Sequence, residues 1–299
     1  MKLINPEIRI EPTNMCNAHC IMCPRESMTR PQGFMDIDLY RSIIQQAVEC
    51  GVTKVALENY GEPMFDRQLF DRAKFAQSLG LETSTITNGS LMFKLQCRQV
   101  LSYFDIIRIS LNGMTAETYG KIHRGLDFYT VIENIDTLLS LKKHYDAKTK
   151  ILLSFVMTHE NKGDVIGFIK KYESLVDRLS VWKPHNWIYG RQYRKASEAK
   201  RTCGRPETGP IQVQWDGKVV PCCFDYDSRM VLGDLNHQSL EDIVNGPAYK
   251  RLRKAHRDGD FSGYPCDSCD QLHKDDSVLI YSNSDQVAVG TTNSGLFKL

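Results

Sequence analysis

The sequence predicts an α/β fold with a parallel sheet covered by helices, followed by a small domain made of a β-hairpin and a helix. Strand-like apolar runs alternate with amphipathic helical runs through the first 183 residues, which is typical of a parallel sheet covered by helices. Six such units are too few for a closed eight-fold barrel. After residue 190 the alternation stops, and two short apolar runs flank an Asp-Gly turn, which indicates a hairpin.

The elements of the first domain follow one another regularly. Strands are expected near 7–12, 54–58, 82–87, 106–112, 150–158 and 178–183. Helices are expected near 36–50, 66–79, 91–103, 128–144 and 162–174. Ligands of parallel α/β sheets bind at the carboxyl ends of the strands. We therefore expect the functional residues directly after these strands.

Three cysteines follow the first strand with the spacing C-x3-C-x2-C: Cys16, Cys20 and Cys23. Iron–sulfur clusters normally take four cysteine ligands, so three thiolates on one loop leave one iron of a cubane open for chemistry. A zinc knuckle or three buried thiols are the alternatives. Zinc sites favour a paired C-x2-C with a second pair or with histidines, and no second pair lies near this loop.

This triplet resembles that of the radical S-adenosylmethionine (SAM) superfamily, and the six predicted strand–helix units match the partial (β/α)6 barrel of that family. The resemblance implies that SAM chelates the open iron and is cleaved by the reduced [4Fe-4S] cluster to methionine and a 5′-deoxyadenosyl radical. The protein would supply binding, orientation and exclusion of side reactions. The resemblance also implies a reducing electron donor such as flavodoxin or ferredoxin.

Further motifs resemble the SAM-binding positions of the family. Glu58-Asn-Tyr-Gly-Glu-Pro63 is similar to its Gly-Gly-Glu-Pro motif, although Tyr60 stands where the first glycine is common. The resemblance implies SAM contacts from Gly61, Glu62, Pro63, Asn88, Ser110, Asn112, Arg124 and Val156. Taken singly, the Asn88-Gly step is an ordinary turn and Arg124 an ordinary surface charge.

A second cysteine set begins after residue 190. Cys203, then Gly-x4-Cys ending at Cys222, then Cys266-x2-Cys269 resemble a SPASM domain, which carries auxiliary clusters, and a basic amphipathic helix expected over 239–256 fits the same template. No cysteine follows Cys269, so the resemblance narrows to the truncated "Twitch" form with one auxiliary [4Fe-4S] cluster. It implies Cys203, Cys222, Cys266 and Cys269 as ligands, with Cys223 able to exchange with Cys222. A four-thiolate zinc ribbon is the alternative. The predicted domains are 1–190, 191–275 and a tail at 276–299.

Composition limits location and partners. The formal net charge of +2 gives no electrostatic case for nucleic acid, and no stretch approaches the roughly 20 apolar residues that span a bilayer. The first strand starts almost at once, so we expect no signal peptide. Seven of the ten cysteines fall into ligand spacings, which favours a reducing cytoplasm.

Two classes of function remain. The cysteine layout resembles radical SAM aminocyclitol dehydrogenases, which implies two-electron oxidation of a small polar substrate, sugar-like or cyclitol-like. The alternatives are a peptide- or protein-modifying enzyme (cross-link, thioether or epimer) and a redox-neutral epimerase or dehydratase. We expect no N-terminal peptide-recognition domain before residue 7, and the full SPASM cysteine set is missing, so the small molecule is favoured.

The segment from Trp182 to Tyr189 is the one expected to touch substrate, because its aromatic and polar side chains suit a small polar ligand. Lys183 or His185 is the expected proton acceptor. An interdomain packing strip is the alternative interpretation of this segment.

Overall fold

The computed structural model describes residues 6–187, 202–272 and 278–284. It confirms an α/β fold with a parallel sheet. The described strands are β1 Glu7–Ile10, β2 His19–Cys20, β3 Lys54–Leu57, β4 Glu82–Thr87, β5 Ile106–Ser110, β6 His123–Arg124, β7 Lys150–Val156, β8 Arg178–Trp182, β9 Ile211–Val213, β10 Lys218–Val220, β11 Gly233–Asp234 and β12 Leu279–Ser282. The described α-helices are α1 Ile37–Glu49, α2 Leu69–Ser78, α3 Lys94–Tyr103, α4 Ala116–Ile122, α5 Phe128–Tyr145, α6 Val165–Tyr172, α7 Arg205–Thr208, α8 Leu240–Val244 and α9 Pro247–Asp258.

The chain divides into two compact units. Unit 1 comprises Met1–Cys16, Pro24–Ser84 and Asn186–Lys274, and unit 2 comprises Asn17–Cys23, Thr85–His185 and Asp275–Leu299. The polar connector expected just after residue 190 lies outside the described residues. The domain boundaries drawn from the sequence stay a prediction.

Unit 1 is built around the parallel strands β3, β1 and β9. Ile8 of β1 lies beside Val55 of β3 and Ile211 of β9, and β10 and β11 continue the sheet antiparallel. Because successive strand residues face opposite sides, Ile8 and Ile10 are fully buried on one face, while Arg9 lies on the other. The predicted hairpin, β9 and β10, therefore joins the same sheet as the first strand.

Unit 2 contains the parallel strands β5, β7 and β8, with β12 antiparallel to β8. Ile107, Ile151 and Leu179 are among its fully buried residues. The predicted tail includes β12, in which Leu279 lies beside Trp182, and residues 285–299 lie outside the described residues. A separate two-stranded ribbon pairs β2 with β6.

One predicted helix is wrong. The single basic amphipathic helix expected over 239–256 is replaced by two helices, α8 and α9. The break falls at Gly246-Pro247. A proline has no amide hydrogen to donate and is preferred in the first turn of a helix, so Pro247 starts a new helix instead of continuing the old one.

Candidate functional site

The first cysteine loop carries the ribbon strand β2. Cys20 of β2 lies opposite His123 of β6, and the Cys23 amide donates to the Cys20 carbonyl at 3.0 Å. Cys16, Cys20 and Cys23 are half-buried, and none of them forms a disulfide. They fall within eight residues of chain and offer the thiolate donors that an iron–sulfur cluster takes.

A chain of hydrogen-bond contacts runs from Cys20 into the strand ends of unit 2. The Sγ of Cys20 lies 3.2 Å from Nδ1 of His123, and Nε2 of His123 lies 3.0 Å from Nδ2 of Asn112. The Val156 amide donates to Oδ1 of Asn112 at 2.7 Å. Burial lowers the pKa of His123 to about 4, so its imidazole is neutral at pH 7. Nothing in the sequence marks His123 apart from its place beside Arg124.

The Asn-Gly turn after β4 supports the cysteine loop from a second side. Nδ2 of Asn88 donates to Oδ1 of Asn17 at 3.0 Å, and Nδ2 of Asn17 donates to Ser90 Oγ at 2.9 Å. The Ser90 hydroxyl donates back to Oδ1 of Asn88 at 2.7 Å. These three bonds close a ring, so Asn88 holds Asn17, the residue directly after Cys16, in a fixed orientation.

The Glu-Pro motif lies in unit 1 directly after β3. The Glu62 amide donates to the Met15 carbonyl at 2.8 Å, and the Glu62 carboxylate accepts from the Met64 amide at 3.2 Å. Pro63 begins the short 3-10 helix Pro63–Phe65. A Cβ on Gly61 would lie 2.1 Å from the Thr13 carbonyl oxygen. A glycine is therefore required at position 61, because the backbone of Thr13 and Met15 lies directly against it.

The remaining predicted SAM contacts lie at strand ends of unit 2. Ser110 ends β5 and is half-buried, as is Val156 at the end of β7. Arg124 is exposed on β6 and lies opposite His19. The positions of Ser110 and Val156 agree with the ligand-binding edge of a parallel sheet. Contact with SAM stays a prediction for each of the three.

The second cysteine set lies in unit 1, around one small hydrophobic cluster. Phe224 and Cys269 are buried there, and Cys222, Cys223 and Trp187 pack against them. The structure therefore brings Cys223 to the same cluster as Cys222. Both stay candidates for one ligand position.

Electrostatic interactions connect the other two cysteines to this group. Burial raises the pKa of Cys266 to about 12, and the neighbouring thiols of Cys269 and Cys203 contribute to this rise. Burial likewise raises the pKa of Cys269 to about 11. Thiols with such pKa values are protonated at pH 7, and metal binding must displace their protons. Loading this site with iron will therefore release protons.

Arg205, at the start of α7, is a cation beside these thiols that sequence reasoning missed. Its guanidinium carbon lies 5.0 Å from the centre of the Phe224 ring, and Nη1 lies 3.8 Å from Cys223 Sγ. Burial lowers the pKa of Arg205, but attraction to Cys223, Cys222 and Cys203 outweighs burial and raises that pKa above its ordinary value. A fixed positive charge beside this cysteine set stabilises added electrons.

Within the described part of the chain, no three His, Cys, Asp or Glu side chains surround a single metal-ion position. A cubane instead takes one thiolate at each ligated iron, so its ligands need not converge on one point. The donor chemistry of the two cysteine sets fits iron–sulfur clusters.

The predicted substrate segment follows β8. Lys183 and His185 are half-buried, and the Lys183 amide donates to the Val278 carbonyl at 2.9 Å. In unit 1, Trp187 packs at 5.3 Å from Phe224 and 6.0 Å from Tyr60, measured between ring centres. Trp187 therefore has a packing role, and residues 188 and 189 of the segment lie outside the described residues.

The chain belongs to the radical SAM superfamily, whose family profile matches residues 10–171. The profile of SPASM, described as an iron–sulfur cluster-binding domain, matches residues 203–270. These matches confirm the expected family and cofactors: SAM, a [4Fe-4S] cluster and an auxiliary iron–sulfur cluster. The cysteines of the SPASM region and the first strand, β1, both belong to unit 1.

The names of two curated relatives refer to different activities. A probable GTP 3′,8-cyclase of Saccharolobus islandicus is 29% identical over 171 residues, which is 56% of this chain and 53% of that protein. The chain thus spans about half the length of these relatives. A tungsten-containing aldehyde ferredoxin oxidoreductase cofactor-modifying protein of Pyrococcus furiosus is 24% identical over 299 residues, covering 82% of each.

Solved structures share the fold at low identity. BtrN in complex with AdoMet and 2-DOIA has a TM-score of 0.62 at 18% identity, covering 90% of this chain and 94% of that chain. Streptococcus suis SuiB bound to its precursor peptide SuiA has a TM-score of 0.69 at 14% identity, covering 90% and 70%. A histidine-tagged anSMEcpe with bound AdoMet has a TM-score of 0.64 at 16% identity, covering 98% and 95%. Across the described residues, the helices are too short or too polar to cross a membrane.

Proposed function

We propose that this radical SAM enzyme oxidises a small polar, sugar-like or cyclitol-like substrate by two electrons. In this proposal Cys16, Cys20 and Cys23 hold the SAM-binding cluster. The auxiliary cluster takes one thiolate each from Cys203, Cys222, Cys266 and Cys269.

When bound, SAM and the first cluster would supply radical chemistry that removes one hydrogen atom from a carbinol carbon. By resemblance to the family, Glu62 would bind the amino group of SAM. Arg124 would pair with its carboxylate, and Ser110, Asn112 and Val156 would also contact it. Lys183 or His185 takes the hydroxyl proton. The auxiliary cluster, held by Cys203, Cys222, Cys266 and Cys269, would supply the acceptor for the second electron. The substrate has lost two electrons and two protons and has become a ketone.

The observation that carries this proposal is the composition of the second cysteine set. Four thiols fill every iron of a cubane, so that cluster has no open iron for a substrate. Arg205 places a positive charge 3.8 Å from Cys223 Sγ, which favours acceptance of an electron. An electron acceptor is needed for net oxidation, and it is not needed for an epimerase or a dehydratase.

The test uses the anaerobically reconstituted enzyme with SAM, dithionite and deuterated cyclitols and amino sugars. We expect deuterium in 5′-deoxyadenosine, a ketone product and one SAM consumed per product. Regeneration of SAM, or a product at the oxidation level of the substrate, would overturn the two-electron scheme. Iron analysis provides a separate check: we expect about eight irons in the wild type and about four after replacement of all three N-terminal cysteines by Ala.

Variants of the two base candidates locate the proton acceptor. Lys183→Met or His185→Phe should abolish the ketone while 5′-deoxyadenosine still forms, because hydrogen abstraction precedes loss of the proton. Lys170→Met, at an exposed position on α6, is the matched control and should leave turnover unchanged. Full ketone formation by both base variants would exclude both residues.

A peptide-modifying reaction is the second candidate, favoured by the structural likeness to SuiB with its bound precursor peptide. Peptides therefore accompany the sugars in the assay. Deuterium transfer from a peptide carbon, with a cross-link or an inverted centre, would replace the first proposal by this one.

A further inference from the structure

His123 lies between a predicted cluster ligand and a predicted SAM contact. It is 2% exposed, and its ring stacks on Tyr119 with 4.6 Å between ring centres and an interplanar angle of 25°. One ring nitrogen faces Cys20 and the other faces Asn112. The orientation of its ring is therefore fixed, and the tautomer decides which ring nitrogen donates a hydrogen bond and which accepts one.

The orientation of Asn112 follows from a backbone amide. The Val156 N–H lies 2.7 Å from one terminal atom of the Asn112 side chain, and that atom must be the oxygen because an N–H cannot donate to an NH2 group. The other terminal atom, the one facing His123, is therefore Nδ2. Asn161 fixes the same loop by donating to the carbonyls of Asn112 at 3.0 Å and Val156 at 2.9 Å.

The tautomer of His123 follows in turn. Nδ2 of Asn112 has only hydrogens to offer, so Nε2 of His123 at 3.0 Å must accept and carries no proton. An imidazole whose Nε2 carries no proton is neutral and has its one N–H on Nδ1. That N–H faces Cys20 Sγ at 3.2 Å. The backbone of Val156 thus determines, through two side chains, that the sulfur receives a hydrogen bond.

We propose that His123 is a positioning residue that donates Nδ1–H to the sulfur of Cys20, raising the reduction potential of the SAM-binding cluster, while its Nε2 holds Asn112. Hydrogen bonds to cluster sulfurs are among the determinants of cluster potential. A donor raises the potential because the reduced cluster carries more negative charge on sulfur. The inference rests on the proposed assignment of Cys20 as a cluster ligand.

Two substitutions separate the two contacts. In His123→Asn the amide nitrogen occupies the place of Nδ1 and retains the bond to sulfur, whereas the bond to Asn112 is lost. In His123→Gln the longer side chain places its amide oxygen where Nε2 was and accepts from Asn112, whereas the bond to sulfur is lost. His144→Asn and His144→Gln, at an exposed position on α5, are matched controls.

The measurement is a redox titration of the N-terminal cluster, monitored by electron paramagnetic resonance in enzyme lacking the auxiliary cysteines, together with SAM affinity. We expect His123→Gln to shift the reduction equilibrium about threefold to tenfold against the reduced cluster, tenfold being about 59 mV for one electron. His123→Asn should retain the potential and bind SAM several-fold more weakly. Equal shifts in both variants, or none in either, would overturn the proposal.

A second readout needs no cluster. In metal-free protein labelled with 15N-histidine, the nitrogen chemical shifts of His123 should report the Nδ1–H tautomer, and the Nε2–H tautomer would refute the inference. The ligand assignment fails separately: Cys20→Ala with unchanged iron content and SAM cleavage would show that Cys20 is not a ligand, whatever the tautomer of His123.

Discussion

Replacement of Gly61 by Ala should destabilise the protein and impair SAM binding, because the added methyl group has no space. Its Cβ would lie 2.1 Å from the Thr13 carbonyl oxygen, 2.7 Å from the Thr13 carbonyl carbon and 2.8 Å from the Met15 carbonyl oxygen. Real Cβ atoms essentially never approach another heavy atom within 3.0 Å. All three neighbours are backbone atoms, so no change of side-chain rotamer relieves the contact.

The magnitude follows from what must move. Overpacking a filled site costs about 1–3 kcal/mol, and backbone neighbours place Gly61→Ala near the upper end of that range. Displacing Met15 also weakens the 2.8 Å bond from the Glu62 amide, which adds about 1 kcal/mol. We therefore expect the free energy of unfolding to fall by about 3–4 kcal/mol, a large part of the roughly 5–15 kcal/mol typical of a domain.

The assay is urea unfolding followed by circular dichroism, on metal-free protein so that cluster loss does not contribute. Gly167→Ala is the matched control. Apart from its chain neighbours and its own helix backbone, no atom lies within 4 Å of its Cβ position on α6, and the change should stabilise a helix by about 0.5–1 kcal/mol. An unchanged urea midpoint for Gly61→Ala would refute the close approach of the two loops. In reconstituted enzyme, the same variant should also bind SAM more weakly, because Glu62 shifts with its neighbour.

Charged groups give three more testable expectations. Burial alone would raise the pKa of Asp177, but its bonds from Lys142 Nζ at 2.5 Å and from the Ile151 amide at 2.8 Å outweigh burial and hold that pKa below its ordinary value. The stabilisation from this carboxylate is therefore present above about pH 4 and is lost as pH falls. Asp177→Asn should lower the unfolding free energy at pH 7 by no more than about 1 kcal/mol, because solvent screens this half-exposed pair. At pH 2 the decrease should be much smaller, and urea titrations at both pH values check this. Arg205→Met should lower the midpoint potential of the auxiliary cluster in a redox titration, while Arg205→Lys should keep it close to that of the wild type. Equal midpoint potentials in all three proteins would show that Arg205 does not stabilise the reduced cluster. Glu62→Ala and Arg124→Ala should each weaken SAM binding about tenfold or more, from the loss of a charge-assisted contact of about 1.5–3 kcal/mol, without loss of iron; unchanged affinity in both would show that the pocket is misplaced.

The sequence predicted the parallel strands closely because buried strands leave a local signature. The strand expected at 82–87 matches β4 residue for residue, and the strand expected at 150–158 ends two residues early, at Val156. The candidate SAM contacts came from the family resemblance, and their positions after the strands agree with it, since carboxyl strand ends form one edge. The helix expected at 162–174 is shorter in the structure: it is α6, Val165–Tyr172, preceded by the single 3-10 turn Lys162–Asp164.

The contacts of His123 could not be predicted from the sequence. Its partners Cys20 and Asn112 lie 103 and 11 residues away, and the ribbon that joins β2 to β6 has only two residues on each side. A two-residue strand has no periodicity to detect. The break before Pro247, in contrast, was visible in the sequence, because Gly-Pro is a strong stop signal inside a helical pattern.

The two asparagines carried over from the family pattern illustrate how far a motif determines a role. Asn88 engages Asn17 and Ser90, and Asn112 engages Val156 and His123, so the side-chain amides of both make hydrogen bonds within the chain. A side-chain amide offers two donor hydrogens and two acceptor lone pairs, so each retains capacity for a ligand. What these bonds already accomplish is to fix the cysteine loop at Asn17 and the strand end at Val156. Residues of the SAM-binding pattern therefore also build the scaffold that holds the cluster ligands, and substitutions at either position should affect iron retention as well as SAM affinity.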